Sequence, residues 1–241
     1  MMKTVSCMFQ TAVLLVTLAV SPAMAAPPYR AAAPSPARCP ATPPIEAESN
    51  DRKGPLKIPA RYAAVARSDL TRLAVAALSG ANFCQNISAI NKAENFALSS
   101  DGRFFSFDWY GYEEGGHVII DRTGSGQSID SGAEVTLSPS GQRFAAVQFS
   151  EAGFGALEGF AVWQTNPVGL RQLVKLNEIP SLVDWRIDSW SGENCINLSG
   201  IPNDRIPENT QNYSRVKRDR YIARPSGASW RLTRARSCPA G

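Results

Sequence analysis

The stretch DWYGYEEGGH, at positions 108–117, gathers the side chains best suited to binding in this 241-residue sequence. Aromatic rings offer contact area at low entropic cost, and carboxylates attract cations. The stretch also ends at the only histidine of the chain. We therefore expect a binding loop here. Its candidate residues are Trp109, Tyr110, Tyr112, Glu113, Glu114 and His117.

A second loop, SEAGFGALEG at positions 150–159, is expected to emerge from the same edge of the next structural unit. It adds the candidates Glu151, Phe154 and Glu158. Together the two loops would form an acidic rim with aromatic edges, suited to a cation, a sugar or a basic peptide. The alternative is a solvated hairpin tip whose rings fold onto the sheet.

Several classes of chemistry lack their sequence signatures. A single histidine argues against a His-rich zinc site. Binding of a metal by Glu113, Glu114 and His117 is disfavoured because adjacent strand residues point to opposite faces. A Ser-His-Asp hydrolase needs only one histidine, but no G-x-S-x-G elbow precedes a helix. Since phosphate-binding and dinucleotide-binding motifs are also missing, we predict no catalytic residue, no metal and no cofactor.

An enzyme remains the second hypothesis. A carboxylate-based hydrolase acting on a polysaccharide needs two carboxyl groups about 5–10 Å apart in a cleft. The candidates are Asp108, Glu113, Glu114, Glu151 and Glu158. Because no motif fixes such a pair, a non-catalytic binding module is favoured, with a structural subunit of a cell-envelope assembly as a third possibility.

A repeated turn and strand indicates how these loops are positioned. From position 96 onward the apolar residues follow a period of two, which predicts strands. The stretch LSSDGRFFSF at 98–107 is followed 39 residues later by LSPSGQRFAAV at 137–147. A less regular third unit begins with LVDWRIDSW at position 182. Short strands separated by regular turns predict an all-β domain over residues 96–241.

The two copies resemble the SPDG turn-and-strand signature of WD40-like, TolB-type β-propeller repeats. This resemblance implies about three blade-like antiparallel β units. Closed propellers typically have about four to eight blades. Three units therefore imply an incomplete propeller, a β-sandwich of similar units, or a ring that a homo- or hetero-oligomeric partner completes.

The segment before the strands is expected to contain the only helix. Within residues 57–95, the positions Leu70, Leu73, Ala74, Ala77 and Leu78 have the spacing of one helical face. Ser68 is suitable as an N-cap, and Gly80 suits the position after the last turn. The sequence therefore predicts an N-terminal helix ahead of the β domain.

The first 56 residues indicate export. Lys3, the apolar run at 11–20 and the small residues AMA at 23–25 predict a secretory signal peptide over residues 1–25. The apolar run is shorter than the roughly 20 residues that cross a membrane. Residues 26–56 are rich in proline and alanine and predict an extended linker. We expect a periplasmic or secreted protein that does not span the membrane.

Four cysteines follow the predicted signal peptide. They are Cys39, Cys84, Cys195 and Cys238. An even number in an exported chain favours disulfides. Three pairings are possible, and Cys39–Cys84 with Cys195–Cys238 is favoured because each pair lies towards one end of the chain.

Charge is distributed unevenly. Residues 101–200 carry six basic and thirteen acidic side chains, whereas residues 201–241 carry nine basic and three acidic ones. This asymmetry fits internal charge matching, or an anionic partner such as a lipid headgroup or a cell-surface polymer. Nucleic acid is not expected as a partner outside the cytoplasm, so the expected partner is an envelope protein or polymer.

Overall fold

A computed structural model gives the fold of this chain. It describes residues 33–41, 52–150, 153, 155–207, 213–227 and 229–239. The predicted signal peptide and much of the predicted linker lie outside these residues. Among the described residues, no helix has the length and apolar composition needed to cross a membrane.

The described residues form fifteen β-strands in four antiparallel sheets. Sheet 1 contains β1 (Ala66–Ser68), β2 (Arg72–Ala76) and β3 (Asn82–Asn86). Sheet 2 contains β4 (Lys92–Leu98), β5 (Phe104–Tyr110), β6 (Gly115–Asp121) and β7 (Gln127–Asp130). Sheet 3 contains β8 (Thr136–Leu137), β9 (Arg143–Gln148), β10 (Gly159–Asn166) and β11 (Gly169–Leu176). Sheet 4 contains β12 (Leu182–Ser191), β13 (Cys195–Pro202), β14 (Asp219–Ser226) and β15 (Ser229–Arg234). The all-β prediction is therefore confirmed.

The predicted N-terminal helix is wrong, because its residues form the β1–β2 hairpin and the start of the next turn. The Asp69 carboxylate accepts hydrogen bonds from the backbone N–H groups of Thr71 and Arg72, at 2.8 and 2.7 Å. These bonds close a tight turn where the helix was expected to begin. Among the described residues, the only helical elements are three short 3-10 turns at Pro36–Arg38, Ala60–Tyr62 and Asn203–Arg205.

A buried apolar run explains why the sequence pattern predicted a helix where the structure has a strand. The residues LAVA at 73–76 are buried on both faces of β2, so their hydrophobicity has no strand period. Such a run fits a central strand and a buried helix equally well. Leu70 and Leu78, which would complete the apolar helical face, are instead 46% and 52% exposed.

The two copies of the repeat have the same turn structure. The Ser99 N–H donates to the Phe104 carbonyl and the Ser138 N–H donates to the Arg143 carbonyl, both at 2.9 Å. Each turn contains a glycine with positive φ, 71° in the first copy and 69° in the second. Glycine adopts this left-handed conformation without a Cβ clash. The repeat is therefore a structural unit that joins the first two strands of sheets 2 and 3.

Consecutive sheets pack face to face through three apolar clusters. Phe105 and Phe107 of β5 are fully buried against sheet 1, whereas Phe104 on the opposite face of β5 packs with Phe144 of sheet 3. A third cluster joins sheets 3 and 4 around Phe160. Strand alternation gives each middle sheet two apolar faces. Among the described residues, no such cluster joins sheet 4 to sheet 1.

An arginine also crosses each junction near the end that carries the repeated turns. Arg122 of sheet 2 donates to the Ala76 carbonyl at 2.6 Å. Arg103 donates to the Asn166 carbonyl of sheet 3 at 2.6 Å. Arg143 of sheet 3 donates to the Glu193 carbonyl, in the turn between β12 and β13 of sheet 4, at 2.7 Å. Guanidinium groups have enough donors to bond several backbone carbonyls across such a boundary.

Both favoured disulfides are present. Cys39 bonds to Cys84 and holds residues 33–41 against sheet 1. Cys195 bonds to Cys238 and holds the C-terminal segment against sheet 4. Cys39 is buried and Leu56 packs in the core, so these two parts of the predicted linker are anchored to the domain. Two disulfides are consistent with an oxidising, extracytoplasmic compartment.

Candidate functional site

The first predicted binding loop is the β5–β6 hairpin. The Gly111 N–H donates to the carbonyl of Glu114 at 2.8 Å, and Glu113 adopts a φ of 58°. Trp109 is only 9% exposed and packs in the core between sheets 1 and 2. Its indole N–H donates to Asp130 at 2.6 Å. Trp109 therefore lies in the core between the two sheets.

The tip of this hairpin is solvated. Tyr110 and Tyr112 are 44% and 62% exposed, and Glu113 and Glu114 are exposed as well. The Lys92 ammonium lies 5.4 Å from the centre of the Tyr110 ring. These four residues form an accessible surface, but no cavity among those described here is lined by them.

The second predicted loop lies beside the first, as expected. A parallel bridge joins Gly115 to Gly155. Glu158 uses its carboxylate to hold its own loop, because it accepts bonds from the N–H groups of Ser150 at 3.3 Å and Gly155 at 2.5 Å. Glu158 thus has a structural role. The candidates Glu151 and Phe154 lie outside the described residues.

His117 is separated from the hairpin tip and lies in the sheet. It is buried, and its Nδ1 lies 2.5 Å from Oδ1 of Asp108 on the neighbouring strand. The second oxygen of Asp108 accepts a hydrogen bond from the Asn95 amide at 2.6 Å. Because an ionised carboxylate only accepts, Nδ1 carries the hydrogen of this bond. Nε2 is then the ring nitrogen that makes no bond to Asp108.

Asn95 reaches Asp108 because of a β-bulge. The pairing of β4 with β5 shifts register between Glu94 and Ala97, and Asn95 has a φ of 53°. Asparagine tolerates this left-handed conformation better than most residues. Bulges commonly redirect a side chain near functional sites. Here the bulge aims the Asn95 amide at Asp108 and completes an Asn95–Asp108–His117 network.

This network lines a cavity of about 420 Å³ between sheets 2 and 3. β8 has only two residues, so the first strand of sheet 3 covers little of the facing strands. The volume falls within the range of about 300–1,000 Å³ typical of small-molecule sites. The described lining residues are Asn95, Ala97, Leu98, Ser99, Phe104, Ser106, Asp108, His117, Ile119, Glu134, Val135, Leu137 and Phe144.

The cavity combines apolar walls with hydrogen-bond acceptors. Phe104, Ile119 and Phe144 supply apolar surface, while Asp108 and Glu134 supply carboxylates. None of the described lining residues is a lysine or an arginine. Such a site favours a ligand that donates hydrogen bonds and carries positive charge.

Sequence reasoning located this site only in part. Of the seven predicted binding residues that the structure describes, His117 alone lines the cavity. Asn95, Ser106 and Glu134 were missed. A signal was present in RFFSFDW, where Ser106 and Asp108 alternate with buried aromatic residues and therefore share the other face. Polar residues on the inner face of a sheet often mark a cavity.

The cavity brings together one of the carboxylates proposed for a hydrolase and Glu134, which was not among them. Of the four proposed carboxylates that the structure describes, Asp108 alone lines the cavity, and both of its oxygens accept hydrogen bonds. Among the described residues, no group of three or more His, Cys, Asp or Glu side chains is arranged to hold a metal ion.

Comparison with known proteins adds no family assignment. No family model matches this chain, and no curated protein matches it. The features that indicate a function are therefore the geometry of the cavity and the surfaces of the four sheets.

Proposed function

We propose that this protein is an exported, non-catalytic binding module, and that its ligand is a small amphipathic amine held between sheets 2 and 3. The observation that carries the proposal is a ligand-sized cavity lined by two carboxylates and apolar side chains, with no cationic side chain among the described lining residues. An ammonium group would pair with the carboxylates while the rest of the ligand packs on the apolar wall.

His117 gives this ligand an orientation. Asp108 holds the imidazole by Nδ1, and Asn95 holds Asp108, so that the ring is fixed before a ligand enters. A fixed acceptor loses little entropy on binding. The ammonium group donates to Nε2 and to a carboxylate together, which distinguishes it from an anion of the same shape.

We further propose that the four stacked sheets are blade-like units of the TolB-type propeller kind. The equal turns in the two copies of the repeat and the consecutive stacking of antiparallel sheets support this view. In this arrangement the units act as a scaffold, and the cavity arises where two of them meet. Export is supported by the two disulfides.

The single histidine makes a direct test possible. Protein labelled with ¹⁵N-histidine gives one set of imidazole signals in NMR, and these report on His117 alone. Titration with 2-phenylethylamine is expected to shift the Nε2 signal in a saturable way. Phenylacetate, which has nearly the same shape and the opposite charge, is expected to leave the signal unchanged.

Two variants locate the binding. Ala97 is exposed and lines the cavity, so Ala97→Trp fills the space without disturbing the core, and binding should be lost. Tyr112→Ser alters the hairpin tip outside the cavity and should leave binding within about twofold. Equal binding of the amine and the carboxylate, or binding lost in the Tyr112 variant and kept in the Ala97 variant, would contradict the proposal.

A further inference from the structure

We infer that the protein has a second binding site, on sheet 4, which takes an acidic polysaccharide. A groove of about 1140 Å³ lies on this sheet, well away from the cavity between sheets 2 and 3. Five cationic side chains line it. They are Lys217, Arg218, Arg220, Arg234 and Arg236.

Among the residues that the structure describes, three of these cations have no carboxylate partner. Arg218 bonds to the carboxylate of Asp184 and Arg234 to that of Asp219, each at 2.7 Å. Lys217, Arg220 and Arg236 are exposed, and the described part of the chain gives them no carboxylate partner. Internal charge matching accounts for two of the five cations and leaves a net positive surface for an anion.

A like-charged pair lies outside the groove, further along the same sheet. Arg224 on β14 lies directly opposite Arg231 on β15. By strand alternation both lie on the same face as Arg220, opposite to the face that packs on sheet 3. Like charges directly opposite each other destabilise a sheet. Ile222, between Arg220 and Arg224 on this face, is buried. The Cys238 N–H donates to Asn197 beside it, so the C-terminal segment separates the pair from Arg220. An anion bound at the pair would relieve the repulsion locally.

The lining of the groove favours a polysaccharide over a membrane or a nucleic acid. Insertion into the interface of a membrane requires exposed apolar side chains. The large exposed apolar side chains of the described residues are Leu70, Leu78, Tyr110, Tyr112, Leu137 and Val168, all outside sheet 4. Single-stranded nucleic acids stack on exposed aromatic rings. The aromatic residue of the groove, Tyr221, is half-buried with its ring 5.1 Å from that of Trp185.

The charged and polar side chains of the groove suit a sugar chain that carries carboxylate groups. Guanidinium groups bind carboxylates through paired hydrogen bonds. Asp188, Ser189 and Ser237 add polar groups along the groove that suit sugar hydroxyls. The ligand we infer is therefore a strand of sugars with carboxylate groups, and it is independent of the amine proposed for the cavity.

Binding of oligogalacturonate, a sugar chain with one carboxylate per residue, tests this inference. Its fully methyl-esterified form has the same backbone without charge. We expect the full chain to bind the acid form and to show no measurable binding of the ester. In the triple variant Lys217→Glu, Arg220→Glu and Arg236→Glu, the Kd should rise by about tenfold or more, since each tenfold step reflects only a modest loss of interaction energy.

A control of equal charge separates the groove from general electrostatics. Lys53, Lys57 and Lys175 are exposed cations outside sheet 4, and their triple change to Glu alters net charge by the same amount. This control should retain the Kd within about twofold. The inference is overturned if both variants lose binding equally, if the ester binds as well as the acid, or if phosphatidylglycerol vesicles or oligo-dT bind more tightly than the glycan.

Discussion

At the residue scale, buried polar groups lie around the junction of sheets 2 and 3. Asp108 and Asp130 are both hydrogen-bonded by neighbours on sheet 2, but they serve different purposes. Asp108 orients His117 at the cavity, whereas Asp130 accepts bonds from the Trp109 indole at 2.6 Å and the Gly132 N–H at 3.0 Å. Both carboxylates are half-buried, and in each case hydrogen-bond donors compensate for the loss of contact with water.

Asp130 gives a prediction about pH. Burial raises the pKa of its carboxyl, and hydrogen bonds from Gly132 and Trp109 only partly offset this effect. A carboxyl whose pKa is raised by folding costs stability once it ionises, so its contribution worsens as pH rises from its ordinary pKa through its folded pKa. Asp130→Asn removes this titration.

The expected result is a difference in slope. We measure the free energy of unfolding of both proteins by urea denaturation. The value for the Asp130→Asn variant minus that for the wild type should increase between about pH 4 and pH 7. A constant offset from the altered hydrogen bonds is allowed, because one oxygen is lost. Parallel curves, or a change in the opposite direction, would show that burial of Asp130 does not control its titration.

At the element scale, the repeated turn is held by the same side-chain bond in both copies. The Ser99 hydroxyl accepts from the Phe104 N–H at 2.8 Å, and the Ser138 hydroxyl accepts from the Arg143 N–H at 3.2 Å. Serine in such turns replaces a missing backbone partner. The two copies should therefore respond alike to loss of the hydroxyl.

We expect Ser99→Ala and Ser138→Ala each to lower the free energy of unfolding by about 1 kcal/mol, the usual net value of one hydrogen bond. Chemical denaturation of the two variants measures this directly. Ser100→Ala, at an exposed position of the first turn, is the matched control and should change stability by less than about 0.5 kcal/mol. A loss confined to one copy would mean that the two turns are not equivalent.

The strands show how far local sequence patterns reach. Alternating residues such as Phe105 and Phe107 allowed β5 to be predicted, since a period of two identifies a strand with one buried face. β2 could not be identified in this way, because a strand buried on both faces shows no alternation. The helical spacing of the leucines and alanines around β2 was accidental. The hydrogen bonds to Asp69 form a tight turn there, so the segment becomes a hairpin.

At the scale of the whole molecule, four sheets form a stacked array with a disulfide at each end. The Cys39–Cys84 bond closes a loop of 45 residues on sheet 1, and the Cys195–Cys238 bond closes one of 43 residues on sheet 4. Loops of similar length restrict the unfolded chain to a similar extent. The apolar clusters of the described residues join neighbouring sheets only, so the two disulfides act on distant parts of the array.

This arrangement predicts additivity. Removing either disulfide by a double Cys→Ala change should lower the free energy of unfolding by about 2–4 kcal/mol. Removing both should give the sum within about 0.5 kcal/mol, because distant sites contribute independently. Equilibrium denaturation of the three variants provides the comparison. A clear departure from additivity would mean that sheets 1 and 4 are coupled, as they would be in a closed ring.

The sequence by itself determined the all-β class and the repeated turn, and it favoured one of three cysteine pairings, which the tertiary structure then decided as Cys39–Cys84 and Cys195–Cys238. Turn chemistry and alternation act over a few residues, so they can be recognised locally. The tertiary structure alone decided that Trp109 is core, that His117 belongs to a cavity, and that Asn95 reaches Asp108. A cavity depends on which sheets stack and on how much each strand covers, and those are properties of packing between distant parts of the chain.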